Sequence, residues 1–138
     1  MDSCGFTIEN DGKKLSIATD LGEMTQGVSD SLKQSKFLLL ESNYEPEVLK
    51  YCSYPYLLKR RIASEKGHLS NNDAGKTISK LVEYGLENVM LGHLSKESNF
   101  PELAQKTVLN EMLQNGIKQN EIELAVASRI SPSKVVNI

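Results

Sequence analysis

The run Phe37-Leu38-Leu39-Leu40, closed by Glu41-Ser42-Asn43, restricts the fold more than any other stretch of the chain. A continuous apolar run of this kind predicts a strand buried on both faces, the kind found in parallel sheets covered by helices. Val89-Met90-Leu91 predicts a second such strand over 88–91, closed by Gly92-His93. Upstream, Phe6 and Ile8 alternate with polar residues, Asn10-Asp11-Gly12 supplies a turn, and Leu15 and Ile17 resume the alternation up to Thr19-Asp20-Leu21-Gly22. That pattern predicts a β-hairpin that ends at an aspartate. The stretch between the hairpin and Phe37 is polar and shows no periodicity of its own.

Helices are expected between these strands. Short ones are expected over 45–52 and 56–64, separated by Tyr54-Pro55. Ser70 or Asn71 can cap a longer helix whose Ala74, Ile78, Leu81 and Val82 share one face and which ends at Gly85. After the second apolar strand, Asn99 lies near a cap, Pro101 falls in a first turn, and Leu103, Ala104, Val108 and Met112 form a stripe that stops before Gly116. The tail, from Ile122 to Val136 around Ser131-Pro132-Ser133, reads as one or two closing strands. Strands alternating with helices give an α/β class, and 138 residues with 39% hydrophobic content suit one domain with a real core.

The net charge of −2 excludes a basic module that coats nucleic acid, so any nucleic-acid contact has to be local. The first six residues show no secretory pattern and no run is long enough to span a bilayer, which leads us to expect a cytoplasmic protein with no membrane association. Cys4 and Cys52 lack metal-ligand spacing and read as free thiols.

Chemistry concentrates in a repeat. Both histidines sit in one tetrapeptide, Gly67-His68-Leu69-Ser70 and Gly92-His93-Leu94-Ser95. A glycine before a histidine lets the backbone turn sharply or approach a ligand, and imidazole binds metals or moves protons near neutral pH. Ligands of α/β sheets gather at the carboxyl ends of strands, where Asp20, Glu41 and His93 are expected, with His68 in a nearby loop. Two carboxylates and two imidazoles suit zinc or manganese. Asp20 could sit in an ordinary turn, and Glu41 is the stronger signal of the two: a carboxylate directly after four apolar residues is costly to bury unless it is paired, metal-bound or hydrogen-bonded, the alternative being that it emerges into solvent as the strand ends.

Other motifs carry less. Asp73-Ala74-Gly75-Lys76-Thr77 ends like a phosphate-binding loop, but position 70 is Ser70 where such a loop needs glycine, so Lys76 reads as a solvated helix residue. Either Gly-His-Leu-Ser could hold a histidine-activated serine, although adjacency in sequence does not give triad geometry. Lys59, Arg60, Arg61 and Lys66 cluster upstream of His68, where they could meet a phosphate backbone or simply form a solvated face, the second reading fitting Arg60 best.

Taken in order, Thr19-Asp20-Leu21-Gly22, Leu40-Glu41-Ser42-Asn43, Tyr54-Pro55 with Leu58-Lys59 and Arg61-Ile62, Gly67-His68-Leu69-Ser70-Asn71 and Leu91-Gly92-His93-Leu94-Ser95 closely resemble the carboxyl half of YycJ/VicX-like metallo-β-lactamase-fold hydrolases. The resemblance runs from about Gly5 to the end. It implies an αβ/βα four-layer sandwich with two divalent metal ions, zinc or manganese, at the sheet edge. By the same resemblance Asp20 bridges the metals, His93 is a ligand of the second, and Glu41 and His68 match the pair that assists proton transfer in the related ribonuclease Z group. Members of the family cleave phosphodiesters, including 5′-to-3′ exonuclease action on DNA.

The family's H-x-H-x-D-H signature and a further histidine before the bridging aspartate are absent, and Tyr44 stands where relatives often carry a histidine. Residues 1–138 are therefore expected to be the carboxyl-terminal portion of one metallo-β-lactamase-fold domain lacking its amino-terminal metal-binding half. A catalytic zinc normally takes three protein ligands, and Asp20 and His93 supply two. The expected function is that of a metal-dependent phosphodiesterase fragment, inactive alone. The competing expectation is a non-catalytic remnant or half-domain that binds a partner protein, such as the missing half, through the sheet surface that partner would cover.

Overall fold

In a computed structural model that describes residues 5–138, the hairpin forms where the alternation places it, with β1 over Phe6–Asn10 and β2 over Lys13–Ala18. Asp11 and Gly12 both have positive φ, 49° and 73°, the backbone that lets a two-residue turn follow the twist of its strands. The chain continues through α1 (Gln26–Leu32), β3 (Phe37–Glu41), α2 (Pro46–Tyr51), α3 (Tyr56–Ile62), α4 (Asn71–Val82), β4 (Asn88–Gly92), α5 (Pro101–Gln114), one 3-10 turn (Gln119–Glu121) and β5 (Glu123–Val126). The result is α/β, with a mixed five-stranded sheet and flanking helices.

Strand order is β1-β2-β3-β4-β5, with β1 antiparallel to β2 and all other neighbours parallel. Each parallel crossover steps to the next strand in the same direction, and right-handed crossovers taken that way place α1, α4 and α5 on one face. The core shows the consequence. Ala18, Leu38, Leu40, Val89 and Leu91 pack with Ala74, Ile78 and Leu81 of α4, Ala104, Val108 and Met112 of α5, and Leu32 of α1. Gly75 lets the two long helices approach, since a Cβ there would lie 2.6 Å from Glu111 Cβ.

Among the described residues, the apolar side chains of the other face lie outside this helix-packed cluster. Phe6 pairs with Ile17 and Ile8 with Leu15, and these stand in register with Phe37, Leu39 and Met90, none of which joins the helix-packed cluster although Met90 is itself buried. Phe6 is 62% exposed and Ile8 60%. The expectation that Phe37–Leu40 is buried on both faces therefore holds for one: Leu38 and Leu40 are fully buried, and Phe37 and Leu39 only half so.

Three local features that the sequence left open have physical reasons. Helix α1 escapes sequence patterning because only Leu32 of its seven residues is buried, and Thr25 starts it by accepting from Val28 N at 3.3 Å. Ser70 rather than Asn71 caps α4, accepting from Asp73 N at 3.1 Å. The tail contributes one strand, β5; residues 127–138 have no further regular element among those described, and are held by Arg129 to Leu94 O, Lys134 to Glu123 and Lys13 to the Ile138 carbonyl. Cys4 lies outside the described residues, and Cys52 is a half-buried free thiol. Among the described residues, no helix is long and apolar enough to cross a membrane.

The one-sided core yields a measurable asymmetry. Leu40→Ala should cost about 2–5 kcal/mol in urea denaturation, the range for emptying a fully buried leucine site. Leu39→Ala, one residue away on the other face, should cost less than half as much. Equal losses would contradict the assignment of faces.

Candidate metal centre

Three of the four side chains singled out in the sequence stand at carboxyl ends of neighbouring strands. Glu41 is the last residue of β3, His93 directly follows β4, and Asp20 lies two residues beyond β2. Asp20 and His93 each adopt positive φ, 60° and 55°, a conformation sparsely populated by residues other than glycine. Such backbone persists where surrounding structure enforces it, and it concentrates at functional sites. The left-handed turn is thus made by the histidine itself, and the glycines serve another purpose. A Cβ on Gly67 would lie 2.1 Å from Ile62 O, and one on Gly22 would lie 2.1 Å from Glu65 O. Gly22 lets the loop after Asp20 press against the loop before His68, and Gly67 lets that loop fold back on the end of α3.

The four side chains converge. Asp20, Glu41, His68 and His93 each offer a ligand atom, and those atoms lie within 4.8 Å of one another. Glu41 is the hub: its carboxylate is fully buried, and its Oε1 lies 2.7 Å from Nδ1 of both His68 and His93. Its Oε2 accepts from Leu21 N at 2.8 Å and from Leu69 N at 3.4 Å. An ionised carboxylate only accepts, so both imidazoles donate through Nδ1–H and keep the lone pair on Nε2. The rings meet edge to face, with centroids 5.2 Å apart.

Asp20 faces a different nitrogen of each histidine. Its exposed Oδ1 is 3.8 Å from His93 Nε2, the lone-pair nitrogen, and 3.9 Å from His68 Nδ1, the nitrogen already engaged by Glu41. Zinc bonds to nitrogen and carboxylate oxygen are about 2.0–2.2 Å, so two ligands of one ion stand at most about 4.2 Å apart. The Asp20–His93 pair fits that limit. A carboxylate gripping the far nitrogen of a metal-facing imidazole is also how such ligands are oriented and made more basic. The four donors form a group that could hold a divalent cation.

A buried polar layer beneath the site was not recognised as functional from sequence. Asn43 Nδ2 donates to His93 O at 2.7 Å and fixes the strained turn. Asn99 Nδ2 donates to Ser42 O at 2.9 Å and to Asn71 Oδ1 at 2.8 Å, while Ser42 Oγ donates to Asn71 Oδ1 at 2.6 Å. Asn71 also donates to Glu45 Oε2 at 3.0 Å, and Thr107 donates to the same oxygen at 2.8 Å. Asn71 and Asn99 carry the signature of capping residues, and only their burial distinguishes them. Tyr44 lies outside the cluster of ligand atoms and packs with Leu49 and Ile62. Burial pushes its phenol above the usual 10.0, and the charges of Asp73 and Glu41 push the same way.

The hydrogen-bond pattern makes a sharp prediction, since free imidazole favours the other tautomer. Long-range nitrogen–proton correlation spectra of the neutral side chains should show both His68 and His93 protonated at Nδ1. A proton on Nε2 of either would contradict the geometry around Glu41. Tyr44 predicts a second effect. Because its pKa is raised by folding, its contribution to stability is complete below pH 10.0 and lost as pH rises toward the folded value. Tyr44→Phe should flatten the alkaline decline in urea-denaturation free energy; an unchanged decline would exclude Tyr44 as its source.

Comparison with known proteins agrees with the ordered motifs. No family model matches the chain. It is 36% identical over 109 residues to the exodeoxyribonuclease WalJ of Streptococcus pneumoniae, a match that covers 79% of this chain and 40% of that protein. It is 30% identical over 116 residues to the exodeoxyribonuclease YycJ of Bacillus anthracis, covering 84% of this chain and 44% of the relative. The chain thus spans about two fifths of the length of the curated relatives it matches. Over the residues it shares with them, the chain belongs to the YycJ-like family.

Proposed function

We propose that this chain is part of a metal-dependent phosphodiesterase that acts on DNA as an exonuclease. The observation that carries the proposal is the buried Glu41 carboxylate holding both imidazoles by Nδ1, with His93 Nε2 left facing Asp20. The exodeoxyribonuclease names of the relatives support the substrate class. In this reading Asp20 and His93 are metal ligands, His68 carries a proton to or from the reacting phosphodiester, and Glu41 positions both rings. A divalent ion, zinc or manganese, supplies Lewis acidity that activates water and offsets phosphoryl charge. Glu41 also stabilises positive charge on His68 whenever that ring gains a proton, as buried carboxylates do for catalytic imidazoles.

Two protein ligands do not complete even one catalytic zinc site. We propose that residues 1–138 are the carboxyl-terminal portion of one metallo-β-lactamase-fold domain, an αβ/βα four-layer sandwich. Its amino-terminal half would supply the remaining ligands for a pair of ions. Two features support this. The apolar face bearing the exposed Phe6 and Ile8 lies, among the described residues, outside the helix-packed cluster, and Glu41 continues the alternation of Phe37 and Leu39 on that same side. The exposed face equally favours the second reading, a non-catalytic half-domain that docks a partner there.

The test is complementation. The chain, mixed with a separately expressed amino-terminal half of a curated relative, should form a complex that cleaves 5′-phosphorylated DNA in the presence of manganese or zinc. Asp20→Asn should abolish the activity, and His68→Ala should slow turnover by about 10²–10⁴-fold, the usual worth of a general acid or base, while metal stays bound. A stable complex with full metal content and no hydrolysis of any phosphodiester would overturn the nuclease reading and leave the partner-binding one standing.

A further inference from the structure

The cations upstream of His68 do not share one role. Lys59 donates to Lys50 O at 2.9 Å and closes the end of α2. Arg60 lies over the Tyr56 ring, 5.9 Å from its centroid, beside the groove of Tyr44 and Leu49. Arg61 and Lys66 instead line a pocket of about 290 Å³ whose other walls include Asp20, His68, Leu58 and Ile62. Both are exposed, and among the described residues neither has a carboxylate within ion-pair distance.

A polyanion approaching this site meets an obstacle. Asp20 and Glu41 are the nearest charges, and the chain as a whole carries −2, so the protein does not draw nucleic acid in by its overall field. Two unpaired cations on the flank of Asp20 supply the missing attraction at the one place where it is useful. Cations that hold phosphates position a strand without reading its bases.

We propose that Arg61 and Lys66 form a phosphate-docking subsite that seats the backbone of a nucleic-acid strand beside the Asp20–His68 edge of the site. This deepens the nuclease reading and rests on it. Arg61, whose planar guanidinium can grip two phosphate oxygens, holds the phosphodiester; Lys66 contributes a point charge. Leu58 and Ile62 form an apolar wall against the sugar. The subsite sits on the loop and helix that also position His68, so a strand held there is held in register with the imidazole.

The experiment is fluorescence anisotropy of a labelled single-stranded oligodeoxynucleotide with the 138-residue chain, in chelator, across a range of salt concentrations. Arg61→Ala and Lys66→Ala should each weaken binding by about tenfold and lower the slope of log affinity against log salt by about 0.7, the value for one phosphate contact on a single strand. Arg60→Ala removes the same charge from the same helix and should change affinity less than twofold. Equal weakening by Arg60→Ala and Arg61→Ala would overturn the proposal, as would a wild-type chain with no salt-dependent binding. Because metal is excluded, the outcome is separate from that of complementation. Position-dependent binding alongside an inactive complex keeps the subsite and removes the nuclease. An active complex whose KM for DNA is unmoved by Arg61→Ala keeps the nuclease and removes the subsite.

Discussion

Everything distinctive in this structure hangs on one buried carboxylate. Glu41 is fully shielded from solvent, and a lone charge in that position would be prohibitively costly. Four donors make it tolerable: Nδ1–H of His68 and His93, and the backbone N–H groups of Leu21 and Leu69. Those donors come from the loop after β2, the loop between α3 and α4, and the turn after β4. Satisfying Glu41 therefore assembles the site, because the three segments must meet on one side chain before its burial is affordable.

Topology determines where that meeting takes place. Parallel strands β2, β3 and β4 end together, so Asp20, Glu41 and His93 arrive at one edge although they are spread over more than half the chain. The monotonic strand order also gathers α1, α4 and α5 on one face and leaves the apolar residues of the other outside that cluster. Glu41 stands on that other side. The strand ends that carry the candidate site and the sheet face that bears Phe6 and Ile8 thus follow from the same strand order.

Much of this was legible in the sequence, and the residues explain why. The hairpin, β3, β4, α4 and α5 announce themselves through alternation, an apolar run or a helical stripe. Asp20, Glu41 and His93 were readable as strand-end residues, and His68 through the repeated tetrapeptide. Helix α1 was not, because one buried leucine leaves no periodicity. Asn71 and Asn99 read as caps; their contacts to Ser42 and to each other join segments 28 to 57 residues apart, a separation that no local pattern encodes. The glycines of the repeat suggested a left-handed turn, whereas His93 makes that turn and Gly67 instead admits the backbone of α3.

The central claim is that Glu41 orients the two imidazoles differently toward one cation, with His93 as ligand and His68 held back from it. Nitrogen chemical shifts of the isotopically labelled chain during a zinc titration test it most directly. The account predicts a large movement of His93 Nε2, its loss in Asp20→Asn, and His68 nitrogens that keep their positions with Nδ1 still protonated. Zinc that moves His68 Nε2 and spares His93, or that displaces the Nδ1 protons from Glu41, would contradict it.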